Sequence, residues 1–132
     1  MRRTLTIITA LVALTALAMP ATGVAAKNKT VKVKDDFFSP GFPKVVKVKK
    51  DAKVKFKWND MNVNTHNVTL KKGPKGVKKS KPCTGGKITK CNKSGSGAIG
   101  IKFNPKFNKK GTYDFVCTIH PTVMKVTVKV KK

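Results

Sequence analysis

The sequence contains no glutamate, and its only arginines are Arg2 and Arg3. Five aspartates stand against 30 lysines and arginines in 132 residues. So few carboxylates leave no acid/base constellation and no second cluster of metal ligands, and an enzyme is not expected. The scarcity of arginine removes the side chain that reads guanine edges bidentately, so nucleic acid is not an expected partner. After residue 26 no helical periodicity of useful length occurs, which excludes a helical fold. Histidine is limited to His66 and His120, and cysteine to Cys83, Cys91 and Cys117.

The first 26 residues differ from the rest. A basic head, Met1-Arg2-Arg3, precedes an uncharged apolar run from Leu5 to Met19 and a small-residue segment ending Val24-Ala25-Ala26. This pattern predicts a secretory signal peptide over 1–26, cleaved after Ala26. Retention as an anchor is the alternative, but the apolar run is shorter than the roughly 20 residues a membrane span needs. Residues 27–132 form one domain with 28 lysines and five aspartates, a net charge of +23. The protein is expected to be exported, to the periplasm, the cell wall or the medium, and to be a monomer.

The lysines alternate with apolar residues, as in Val31-Lys32-Val33-Lys34 and Lys53-Val54-Lys55-Phe56-Lys57-Trp58. Such alternation reads as half-buried strands with a lysine outer face. Strands are predicted at 30–34, 44–49, 53–59, 67–71, 98–103, 111–117 and 124–131. Seven or eight short strands in about 100 residues predict an all-β, Greek-key β-sandwich. An immunoglobulin-like sandwich is the rival on pattern alone, but no Cys…Trp…Cys spacing supports it. Trp58 shares a face with Val54 and Phe56 and is read as core. The lysine coat serves solubility and protects sheet edges. At this charge it also predicts attraction to an anionic partner: an acidic redox protein, anionic lipid or a cell-wall polymer.

Residues 73–97 form the one long irregular insert, and they carry Cys83 and Cys91. In an exported chain two free thiols are disfavoured, so a Cys83–Cys91 disulfide is expected. Cys117 is then the odd cysteine, and metal ligation explains why it stays unpaired. In Tyr113-Asp114-Phe115-Val116-Cys117, the residues Tyr113, Phe115 and Cys117 share one strand face with the core. Met124 opens the next strand in phase with Val126, Val128 and Val130. Cys117-x2-His120-x3-Met124 is thus one loop with sulfur at both rims and an imidazole between. His66 is in phase with Val68 and Leu70 and also points inward.

Two histidines, one cysteine and a weakly held methionine are the ligand set of a mononuclear electron-transfer copper site. Zinc accepts the same His2Cys set, but a closed structural zinc site wants a fourth strong ligand, and there is no third histidine. Met61, in the polar turn before His66, is the rival to Met124.

These residues resemble the plastocyanin-like cupredoxin family, the type 1 blue copper proteins, of a secreted bacterial or archaeal kind. His66-Asn67-Val68 is similar to that family's first-histidine motif. Gly111-Thr112-Tyr113-x-Phe115-x-Cys117-x-x-His120-Pro121 is similar to its ligand loop. Asp36-Phe37-Phe38-Ser39-Pro40 and Val54-x-Phe56-x-Trp58-x-Asp60 resemble its opening strands, and the likeness runs from about Val31 onward. The resemblance implies one copper ion held by His66, Cys117, His120 and Met124, with His120 at the solvent edge. It implies that Asn67 ties the His66 strand to the Cys117 loop by hydrogen bonds. It implies a one-electron carrier cycling Cu(II)/Cu(I), with a redox protein as partner, expected to dock through an acidic surface. A copper storage or delivery protein, or a lysine-rich module for anionic cell-surface polymers, are the alternatives.

Overall fold

The strand period turns the lysine–valine alternation into two faces. In Val54–Trp58 the three alternate side chains Val54, Phe56 and Trp58 are buried and Lys55 and Lys57 are exposed. The structure, a computed structural model, describes residues 27–39, 44–77, 85–87 (backbone only) and 92–132. The expected signal peptide over 1–26 and the expected Cys83–Cys91 disulfide lie outside the described residues.

The described residues contain strands but no helix. The strands are β1 (Lys29–Lys34), β2 (Phe37–Ser39), β3 (Val45–Lys49), β4 (Val54–Trp58) and β5 (Thr69–Lys72), then β6 (Gly85–Lys87), β7 (Lys102–Lys106), β8 (Gly111–Val116) and β9 (Lys125–Lys131). One sheet runs β2-β1-β4-β7-β6 and the other β3-β9-β8-β5. The chain crosses between layers from β3 to β4 and from β4 to β5, so pairs such as β1–β4 and β3–β9 are parallel although β8–β9 is an antiparallel hairpin. This is the expected all-β sandwich. Seven strands correspond to those read from the sequence. The other two, β2 and β6, have three residues each, too few to show a period of two.

One boundary moved. The strand expected at 98–103 is β7 at Lys102–Lys106. Gly100 adopts a φ of 73°, outside strand geometry, so the strand begins after it. At its other end Pro105 lies within the strand. Its missing N–H explains the broken ladder with β4, which stops at Phe56↔Phe103 and returns only as the bridge Lys53↔Lys106.

Between the sheets lies an aromatic cluster. Phe56 packs against Phe103 and Phe115 with ring centroids 5.4 Å apart in each case, and Phe107 meets Tyr113 edge-to-face at 4.9 Å. Burying each such side chain stabilises the fold by about 1.5–3 kcal/mol. Phe115 and Tyr113 therefore fix β8, and with it the position of Cys117 just beyond its end.

Register places one set of loops together. Val33 pairs with Trp58, Lys57 with Lys102, and Val116 with both Thr69 and Lys125. The segments 35–36, 59–68, 94–100 and 117–124 thus all leave strands at the same end of the sandwich.

Candidate metal centre

At that end His66 is anchored before β5 begins. It exchanges both backbone hydrogen bonds with Gly97, at 3.0 and 3.1 Å. Trp58 donates its indole N–H to the Gly97 carbonyl at 3.1 Å. The residue read as plain core therefore also holds the backbone opposite His66.

The second half of the centre is the turn between β8 and β9. The Cys117 N–H donates to the Met124 carbonyl and the Met124 N–H to the His120 carbonyl, both at 3.0 Å. Cys117 and Met124 are fully buried, whereas His120 lies between them on the turn and is partly open. Met61 is 83 % exposed, so it belongs to the surface of its loop rather than to the interior.

Asn67 joins the two halves. Its side-chain amide donates to Thr118 Oγ1 at 2.8 Å and its side-chain carbonyl accepts from the Thr118 N–H at 3.0 Å. Its backbone N–H points at Cys117 Sγ, 3.5 Å away. A hydrogen bond to sulfur lowers electron density on a thiolate, and the three contacts together fix the thiol relative to His66.

The ligand-type atoms of His66, Cys117 and His120 lie within 4.8 Å of one another. His120 Nδ1 is 3.8 Å from Cys117 Sγ, and the two imidazole rings have centroids 5.0 Å apart. Cys117 carries a free thiol. The structure thus brings together three of the four residues expected to bind metal and puts Met124 at the rim of the same turn.

Two aspartates complete the surroundings, and sequence reasoning missed both. Asp35 Oδ1 lies 2.9 Å from His66 Nε2. Its carboxylate also accepts from the backbone N–H groups of Val63 at 3.0 Å and Asn64 at 3.1 Å. The hydrogen bond with His66, followed by that from Val63, holds the Asp35 carboxyl below the usual carboxylate range. Asp36 Oδ1 is 3.9 Å from His120 Nε2, so each histidine has one aspartate behind it. The signal was present: two of only five acidic residues sit side by side at the start of Asp36-Phe37-Phe38.

An ionised carboxylate only accepts hydrogen bonds, so His66 Nε2 carries the proton and Nδ1 the lone pair. His66 Nδ1 is buried with no hydrogen-bond partner. A buried polar atom left so is costly, and metal coordination removes the cost. The donor set, a thiol with two imidazoles, is the set that copper takes.

A β-sandwich with a thiol and two imidazoles converging at one end defines the class of small copper proteins. The family described as copper binding proteins of the plastocyanin/azurin kind matches residues 22–131, and the chain belongs to that family. Among solved structures it is similar to amicyanin from Paracoccus versutus, with 22% identity, a TM-score of 0.55 and 86% of each chain covered. It is also similar to a pseudoazurin from Sinorhizobium meliloti, with 18% identity, a TM-score of 0.54, and coverage of 80% of this chain and 74% of that one. A copper-containing nitrite reductase from Thermus scotoductus matches 92% of this chain over 25% of its own length, with 22% identity and a TM-score of 0.57. A comparison with curated proteins finds no match. At these identities the structures establish a shared cupredoxin fold. Family membership makes copper the cofactor, and the His-Cys-His group is compatible with one type 1 site.

Proposed function

We propose that the chain is a one-electron carrier whose copper would be held by His66 Nδ1, Cys117 Sγ and His120 Nδ1, with the Met124 thioether as a weaker fourth ligand. The observation that carries the reading is the buried, unpartnered His66 Nδ1 beside a free thiol and a second imidazole. When bound, copper supplies a Cu(II)/Cu(I) couple that thiolate and imidazole ligands support in both states.

The chain's part is to hold the donors still. Asp35 fixes the tautomer and plane of His66, and the Asn67–Thr118 pair fixes the turn that carries Cys117. Ligands held by hydrogen bonds and packing move little when the charge of the site changes, which keeps the reorganisation cost of electron transfer small. His66 has no exposed side-chain surface, whereas the His120 side chain keeps 26 % of its own. Electrons therefore pass to a partner through His120, whose neighbours Ile119 and Val123 are exposed apolar contacts for a redox protein. The net charge of +23 over residues 27–132 acts at longer range on the encounter as a whole, while docking is set by the His120 edge.

The nitrite reductase is four times the length this chain matches, and among the described residues one metal-ligating group is found. These observations support reading the chain as a carrier rather than an enzyme, and we place its work outside the cytoplasm, with residues 1–26 as the export signal.

The test is the visible spectrum with Cu(II). The wild type is expected to be intensely coloured through sulfur-to-copper charge transfer. Cys117→Ala should lose the band while keeping the β-sheet signal in circular dichroism. Met124→Gln should keep copper but lower the reduction potential, because a harder oxygen ligand favours Cu(II). A pale wild-type complex refutes thiolate ligation, and rapid loss of copper to a competing chelator favours storage or delivery.

A further inference from the structure

Among the described residues the lysines are not spread evenly. The four segments of the copper end, 35–36, 59–68, 94–100 and 117–124, contain no lysine and three of the five aspartates. At the opposite end a cleft of about 310 Å³ is lined by Lys27, Lys29, Lys47, Lys49, Lys131 and Lys132, together with Val48. It lies between the start of β1 in one sheet and the ends of β3 and β9 in the other.

We propose that this cleft binds a linear phosphate polymer. Four of the lysines around it form a lattice: on the parallel strands β3 and β9, Lys47 stands opposite Lys129 and Lys49 opposite Lys131, all exposed. Like charges directly opposite across strands destabilise a sheet. No carboxylate of the chain offsets that cost. Asp35 and Asp36 face the histidines, Asp60 lies at the copper end, Asp51 faces Lys106 at 3.6 Å, and Asp114 accepts from Thr127 Oγ1 at 2.7 Å. No acid lines the cleft.

The spacing suits a chain of anions. Neighbouring strands stand about 4.8 Å apart, and outward residues on one strand about 6.7 Å apart, so the lysines form a regular row of charges on flexible stems along which an extended polyanion can lie. Lysine is a compact point charge that binds phosphate without the fork geometry of arginine. Three rivals fit less well. No aromatic lines the cleft, so the bases of a nucleic acid have nothing to stack on. A bilayer surface is bound by helices or loops that insert apolar side chains. Here the exposed Met61, Val63, Ile99, Ile119 and Val123 are all at the copper end. An acidic protein docking for electron transfer needs the His120 edge, which lies at the other end. Bound polymer thus leaves that edge free.

The test measures binding of inorganic polyphosphate to the copper-loaded protein over a range of salt. With about six phosphates engaged, log K should fall against log salt with a slope of about −4. Lys29→Gln/Lys49→Gln/Lys131→Gln removes three charges from the cleft. Lys32→Gln/Lys57→Gln/Lys102→Gln removes the same three from a row across β1, β4 and β7, where Asp60 is a neighbour. The cleft variant should lose at least tenfold more affinity than the control, with a slope shallower by about 2. Both should keep the wild-type absorption band and melting temperature, which shows that neither has lost its fold. Equal losses in the two variants would mean a diffuse charge effect and overturn the site. Tighter binding of phosphatidylglycerol vesicles or polyglutamate than of polyphosphate, at matched anion concentration, would overturn the choice of ligand.

Discussion

His66 is constrained at its backbone by Gly97, at Nε2 by Asp35 and on its following residue by Thr118. Removing the Asp35 contact separates these roles. Asp35→Asn keeps the size of the side chain but lets either amide atom face Nε2, so the tautomer is no longer dictated. It also removes a negative charge near the metal, which favours the more positive oxidised ion. Copper affinity should fall 10- to 100-fold, in line with other partners that orient metal-bound histidines. The potential should rise, by about 59 mV for each tenfold loss that falls on Cu(II) alone. Asp36→Asn, at 3.9 Å from its histidine, should change both much less. Unchanged affinity and potential in Asp35→Asn would make the contact purely structural. Much of this neighbourhood was legible beforehand. Cys117, His120, Met124 and His66 announced themselves by parity and by being rare. Asp35 did not, because its partner is 31 positions away and the adjacent turn gives no period to read. Gly97 was hidden for the same reason, inside a segment that reads as irregular.

The hairpin of β8 and β9 carries the thiol at one end and Gly111 at the other. Gly111 has a φ of 136°, a region that side chains rarely adopt, and an added Cβ would run into the Pro74 ring. Tyr113 then follows with its hydroxyl donating to the Lys109 carbonyl at 2.6 Å and its ring against Phe107. Gly111→Ala should therefore cost about 2–3 kcal/mol, combining backbone strain with overpacking. Urea melts should show a lower midpoint and an unchanged slope. The absorption band should survive below the transition, since Cys117 sits at the far end of the strand. A change under 0.5 kcal/mol would show that Pro74 simply moves aside. Four strands, β1, β3, β4 and β9, could be foreseen because lysine alternates with apolar residues, and β8 because Tyr113 and Phe115 share a phase with Cys117. β2 and β6 could not, being three residues long, and β7 was misplaced because Gly100 and Pro105 override the pattern on either side of Phe103.

Two buried ionisable groups shape how the whole sandwich responds to alkali. Lys44, just before β3, is 6 % exposed and its ammonium has no partner among the described residues. Burial pushes its pKa down to about 8 from 10.5. Between those values the unfolded chain holds a proton that the folded chain has released, so stability rises with pH across this window. Tyr113 behaves oppositely. Burial pushes its pKa up to about 12 from 10.0, so the unfolded chain releases its proton first and stability falls above pH 10. The other lysines also lose charge in this range, and easing of their mutual repulsion adds a general rise that is shared by any variant. Lys44→Met isolates the local contribution. Below pH 8 it should melt higher than the wild type, because it buries a methylene chain without a charge. The gap should close as pH climbs from 8 towards 10, while both proteins decline together above 10 through Tyr113. Parallel melting curves for the two proteins from pH 7 to 10 would show that Lys44 reaches water in solution and that its burial has no electrostatic cost.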